Sequence, residues 1–338
     1  MMRPRAWLFA GGVLLFIGLL VSQGLGAVLA LLLSAGWGLV LVAGFHLLPL
    51  LLDAAAIRVL FDGSSMPTPM RAATLARWVG ESVNSLLPAG QLGGPVLMVR
   101  YLARRGIPMP QAAAAITVSL TLQVFSQIVF ALLGIVLLGA VAGRVSPDTQ
   151  RVAALVACLV LVAQVGGFYF LQRRGLFAKL LRAVTRFSGK QDWSQVQGQA
   201  EAIDAAVQIT YAHNQPLTAS FLLSLLAWLI GTGEVYLIAW LLGFPVSWAM
   251  ALLLESLGQA IRGAAFAIPG ALGVQEGGYL LLAPVAGLPP EACLALSLAK
   301  RARELLLGLP GLVYLHYSAR DSAVSAKKIV LATDRNKP

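Results

Sequence analysis

Long stretches without charge set the pattern of this chain. Residues 6–52 carry no Asp, Glu, Lys or Arg over 47 positions, and Gly106–Gly143, Val152–Gln172 and Ala205–Gly233 add uncharged runs of 38, 21 and 29. A helix needs ~20 apolar residues to cross a bilayer. The first run therefore predicts two helices, at about 6–22 and 27–52, and the rest of the pattern predicts crossings at 111–142, 152–172, 217–242 and 291–317.

Two further stretches are apolar but interrupted. Trp78–Tyr101 reads WVGESVNSLLPAGQLGGPVLMVRY and carries Glu81, Asn84 and Gln91 among prolines and glycines, with basic residues on both sides. A segment whose two flanks lie on one side of the membrane enters and leaves there. Such broken backbone survives at depth only where protein or a watery cavity covers it. The second stretch is 248–288. In the first, Pro88-Ala-Gly-Gln-Leu-Gly-Gly-Pro95 leads to Pro110; in the second, Pro269-Gly-Ala-Leu-Gly-Val-Gln-Glu-Gly-Gly278 leads to Pro290. The proline spacings are 22 and 21, and a Glu-Ser pair precedes each break, Glu81-Ser82 and Glu255-Ser256. Three predicted crossings separate the stretches, an odd number, so they should enter from opposite sides. That is the plan of an inverted repeat, common in transporters.

The expected fold is an all-α polytopic membrane protein, with about six full transmembrane helices and two re-entrant hairpins in one membrane domain, 1–338. Within it, 1–52 is an N-terminal helix pair and 78–142 the first repeat. A cytoplasmic basic amphipathic loop occupies 173–215, the second repeat 248–317, and a basic cytoplasmic tail 318–338. Asp53, Arg58 and Asp62 are expected in a cytoplasmic loop.

Composition agrees and removes other classes. The chain is 58% hydrophobic and 12% charged, outside the range of soluble domains. The net charge of +11 suggests nucleic acid until the basic residues are located. Of 25, 19 lie at the N-terminus, in 53–105, in 173–190 and in the tail. That is a topological bias of the positive-inside kind, placing both termini in the cytoplasm and Gly143–Arg151 outside, in a bacterial inner membrane. Residues 173–190 alternate Leu176, Phe177, Leu180 and Leu181 with Lys179, Arg182 and Arg186, a pattern suited to anionic lipid along Arg173–Lys190 or to a plain helix extension. Cys158 and Cys293, like His46, His213 and His316, are scattered in sequence. They predict no disulfide framework, no metal and no cofactor.

The costly residues are the charges inside apolar territory. Lys300, Arg301, Arg303 and Glu304 fall about nine to thirteen residues into the 291–317 helix. Each charge at the bilayer centre costs ~2.5–3.5 kcal/mol, so these four need partners, water or ligand. Lys300 and Glu304 have the i,i+4 spacing of a pair. Arg303 is expected to meet Glu276 across the second break, with Glu81, Glu234 and Glu255 as further acids. Glu255, Gln259 and Arg262 share one helical face, as do Ser119, Gln123, Ser126 and Gln127. Pro269, Gly270 and Gly273 open the backbone beside Gln275 and Glu276. A structural ion network and a headgroup-binding cavity both fit these residues.

The stretches IPGALGVQEGGYLLL, AGLPPEACLALSLAKRARELLLGLPG and NSLLPAGQLGGPVLMVRYLARRG resemble the lysylphosphatidylglycerol synthase transmembrane-region (flippase-like) family, closest to its hopanoid-biosynthesis-associated branch. The resemblance spans about 10–318 and rests on Pro269, Gly270, Leu272, Gly273 and Glu276, followed by Lys300, Arg301 and Arg303. It implies a membrane part that translocates lipid. The C-terminal aminoacyl-transferase domain of the full synthases is not expected here, nor is its activity. The leading expectation is a transporter for a polar-headed lipid, a phospholipid or hopanoid type, working with lipid-biosynthesis or export partners. No Walker loop is present in the sequence. A lipid-pyrophosphate phosphatase and an ion-coupled solute carrier are the alternatives.

Overall fold

The computed structural model describes residues 25–61, 68–87, 93–141, 193–265 and 268–335, with the single positions 155, 159 and 162. Among the described residues every regular element is helical. We number the helices α1 Leu25–Ala35, α2 Gly38–Arg58, α3 Met70–Leu86, α4 Gly93–Arg104, α5 Met109–Val141, α6 Trp193–Tyr211, α7 Asn214–Leu241, α8 Trp248–Ala264, α9 Val274–Ala286 and α10 Pro290–Arg335. Among the described residues three segments are long and apolar enough to cross a membrane, Gly38–Phe61, Met109–Ala140 and Asn214–Leu241. Their outward residues are greasy too: Val136 is 69% exposed and Trp240 61%, a surface that suits lipid rather than water.

Several sequence expectations change. The 27–52 helix is two helices, because Gly36 takes φ +47 and interrupts the run where a side chain would be strained. α2 then continues past Asp53 to Arg58, so Asp53 lies in a helix and not in a loop. The final helix does not stop at 317: α10 runs 46 residues to Arg335, through the segment expected as a tail. Within 173–215, residues 193–211 form α6, which packs on α5. The 6–22 crossing, the 152–172 crossing apart from positions 155, 159 and 162, the Gly143–Arg151 loop, the 173–190 stretch, and Pro88 with Gln91 lie outside the described residues.

Both broken stretches are helical hairpins. α3 and α4 pack together across the first break, and α8 and α9 across the second. α8 and α9 have 17 and 13 residues, rising ~25 and ~20 Å at 1.5 Å per residue, short of the ~30 Å hydrocarbon layer. In the second break Gly270 has φ +62, Ala271 +49 and Gly273 +77; two of three left-handed positions are glycine, where that conformation carries no Cβ penalty. The first hairpin is held by close approach: a Cβ on Gly94 would lie 2.3 Å from the Gly80 carbonyl oxygen.

Element packing has a pairwise exchange. Swapping α2, α3, α4 and α5 for α7, α8, α9 and α10 leaves the set of neighbours unchanged. α3–α4 becomes α8–α9, α4–α5 becomes α9–α10, α3–α10 becomes α8–α5, α2–α3 becomes α7–α8, and α2–α10 becomes α7–α5; all are packed pairs. The exchange reaches side chains. A Cβ on Gly311 of α10 would meet Ser82 Oγ of α3 at 2.0 Å, and one on Gly134 of α5 would meet Ser256 Oγ of α8 at 2.1 Å. These are the serines of the two Glu-Ser pairs. α2 and α7, exchanged with each other, run antiparallel: Gly38 lies against Leu241 and Gly233 against Phe45.

Candidate functional site

α3, α8, the second break and α10 converge on charge. Lys300 is 1% exposed, Arg303 5%, Glu304 4% and Glu276 0%, so the α10 charges turn inward, as their cost in lipid requires. They arrange into three ion-paired groups.

In the first group, Lys300 Nζ donates to Glu255 Oε2 on α8. Tyr279 OH donates to the same oxygen at 3.3 Å, and Gln259 Nε2 to Glu255 Oε1 at 2.8 Å. Gln127 of α5 donates to the Gln259 carbonyl at 3.0 Å, tying the long helix of one unit to the hairpin of the other. Gln123 lies one turn earlier; its carbonyl accepts Ser126 Oγ at 2.9 Å.

The second group surrounds the glycine break. Arg262 donates to Glu304 and, at 3.2 Å, to Gln275 Oε1. Arg301 Nε donates to Glu276 Oε1 and its Nη1 to Glu304 Oε2, both at 3.2 Å. Glu276 also caps α9, accepting from the Gly273 backbone at 2.8 Å, while Ser297 relays between Gln275 and Glu276. Arg301 Nη2 is buried without a partner. A Cβ on Gly270 would lie 3.5 Å from Arg301 Nη1 and 3.5 Å from the Ser85 carbonyl, so the second break touches the end of α3. Pro269 opens that break as the first residue of a short 3-10 turn.

The third group joins the exchanged units. Arg303 Nε donates to Glu234 Oε1 of α7 at 3.1 Å, and its Nη1 lies 3.5 Å from Glu81 Oε1 of α3. His46 of α2 stands between the same two acids, Nδ1 at 2.9 Å from Glu234 Oε2 and Nε2 at 2.8 Å from Glu81 Oε1. Arg77 joins Glu81, at 3.9 Å, to Asp53 at 2.7 Å. Beside this group runs a crevice lined by Trp78, Glu81, Ser85, Arg303 and Glu304, with room for roughly one water molecule.

Two sequence pairings are overturned. Lys300 and Glu304 do not pair with each other, because each finds a partner on α8 with better alignment. Arg303 does not meet Glu276; Arg301 takes that place, two residues away and therefore ~200° around the helix. Asn84, expected near ligand, accepts the Gly94 backbone N–H at 2.9 Å and bridges the first break. Sequence reasoning missed His46, Asp53, Arg77, Tyr279 and Ser297. A histidine and an aspartate seven apart in an apolar helix, and an arginine four before Glu81, were the available signals.

Fold and site together define a polytopic membrane protein with an ion-paired centre between broken helices. The chain belongs to the lysylphosphatidylglycerol synthase TM region family, whose model matches residues 8–311. Comparison with curated proteins gives no match, and neither does comparison with solved structures.

Proposed function

We propose that the protein moves a polar-headed lipid, of phospholipid or hopanoid type, across or within a bacterial inner membrane. Arg301 carries this reading: a guanidinium beside the glycine break that keeps one buried donor nitrogen unspent. Guanidinium suits the bidentate geometry of a phosphate, and the freed backbone of Gly270 allows close approach. Arg262, Lys300 and Arg303 supply further positive charge. Entry of a headgroup requires α3 and α10 to part, since the crevice between them holds roughly one water. The paired exchange of elements supports such a movement, because an inverted-topology repeat can present one site to either face. On this reading the hairpins are re-entrant, both termini are cytoplasmic, and the cluster binds without catalysing.

The test is reconstitution with a fluorescent phospholipid whose outer-leaflet copies are chemically quenched. Arg301→Gln should cut translocation at least tenfold while the protein still inserts and purifies intact. Unchanged translocation in that variant, or phosphate release from a lipid pyrophosphate by the purified protein, overturns the reading.

A further inference from the structure

The third ion group holds one proton too few if its histidine is an ordinary neutral ring. Its acids are Asp53, Glu81 and Glu234, three in number, and its permanent cations are Arg77 and Arg303, two. The other groups balance by themselves: Lys300 against Glu255, and Arg262 with Arg301 against Glu276 with Glu304. Among the described residues only the group containing His46 is out by one negative charge, and uncompensated buried charge is strongly disfavoured.

The contacts of the His46 ring agree with that count. Both ring nitrogens lie within 2.9 Å of a carboxylate oxygen, and Arg303 Nη1 stands 3.2 Å from Nε2. A neutral imidazole supplies one N–H. Arg303 can donate to a bare Nε2, but the Glu81 oxygen at 2.8 Å then faces that nitrogen with no hydrogen between them. An extra proton, on the ring or on the Glu81 carboxyl, supplies it and brings the group to neutrality.

We infer that Glu81, His46 and Glu234 form a proton-binding site, and that its proton is the coupling ion for transport; the second half rests on the transport reading above. Every element packed on His46 contributes to the field it feels. α2 itself brings Asp53, α3 brings Arg77 and Glu81, α7 brings Glu234, and α10 brings Arg303, with Lys300 one turn away. Glu81 is the route to water. It lines the crevice and its side chain is 24% exposed, against 14% for His46 and 3% for Glu234. A proton leaving from the His46–Glu81 hydrogen bond passes to crevice water. It leaves a ring with one N–H between two carboxylates, and a group carrying net −1. One of the two contacts must then open. The remaining ring N–H serves only one acid; when it serves Glu81, the contact that opens is His46–Glu234, which joins the two exchanged units, and the joint between them loosens.

Two measurements on the full chain in lipid decide it. The first is solid-state NMR of ring nitrogens and carboxyl carbons in His213→Gln/His316→Gln protein, which leaves His46 as the sole histidine. The expected result is a second proton, on the ring or on the Glu81 carboxyl, lost in one step as pH rises. A neutral ring between two ionised carboxylates at every pH overturns the proton site. The second is translocation of the fluorescent phospholipid under an imposed pH gradient. With one proton per lipid, a one-unit gradient should give ~tenfold leaflet asymmetry. Glu81→Gln balances the group without the proton, so this asymmetry should vanish. Translocation that ignores the gradient in the wild type overturns the coupling. Absence of any translocation, with the NMR signature present, overturns the lipid reading and leaves the proton site standing. His46→Gln alone should lower the unfolding midpoint, and His46→Gln/Glu81→Gln should restore most of it, since the double variant returns to neutral. Failure of that rescue counts against the charge count itself.

Discussion

Glu255 and Lys300 show what a buried residue needs and what it costs to take it away. Both are nearly inaccessible, at 3% and 1%, and their desolvation is offset chiefly by each other, with Tyr279 and Gln259 bonded to the same carboxylate. Lys300→Met leaves a buried carboxylate unpaired and should destabilise the protein by ~3–5 kcal/mol, whereas Lys300→Met/Glu255→Leu should be far milder, because it removes both charges. Thermal unfolding in detergent checks the order of the two. At the break, Gly273 holds φ +77, and Gly273→Ala should cost ~1–2 kcal/mol from the left-handed backbone alone. That a buried ion cluster exists was legible in Lys300, Arg301, Arg303 and Glu304. Its pairing was not. Partners 25 to 222 positions away compete with i,i+4 neighbours, and sequence spacing ranks only the neighbours.

For the helices, packing depends on two glycines that admit two serines. Gly311 receives Ser82, and Gly134 receives Ser256, each on the long helix of the opposite unit. Gly311→Leu and Gly134→Leu should each overpack the contact by ~1–3 kcal/mol and by similar amounts, if the two units are equivalent in packing. A large inequality between the two, read from unfolding midpoints, would show the exchange to be superficial. The hairpins were visible in sequence as prolines and glycines inside apolar flanks. Their arms were misjudged: α3 begins at Met70, eight residues before Trp78, because its start is set by packing on α2 and α10. The apolar crossings expected at 111–142 and 217–242 match the helices Met109–Val141 and Asn214–Leu241 closely, since a long apolar run has little choice in lipid.

At the scale of the whole molecule, the paired exchange of elements makes a statement about topology. α2 and α7 are exchanged and antiparallel, so one unit should sit upside down relative to the other. A cysteine at Ser146 should react with an impermeant reagent in intact spheroplasts, and one at Ser325 only after lysis. Labelling of both from outside would remove the opposite orientation and the transport reading with it. The sequence alone determined the solvent of this protein, the placement of its apolar helices at 109–141 and 214–241, its two breaks and its family. These follow from hydropathy and from the conformations that glycine and proline permit, both local properties. Only the tertiary structure decided which acid meets which base, that His46 lies between Glu81 and Glu234, and that Asp53 and Arg77 complete its group. A charge in a low-dielectric interior must find a partner wherever the chain brings one, and that depends on how helices far apart in sequence cross.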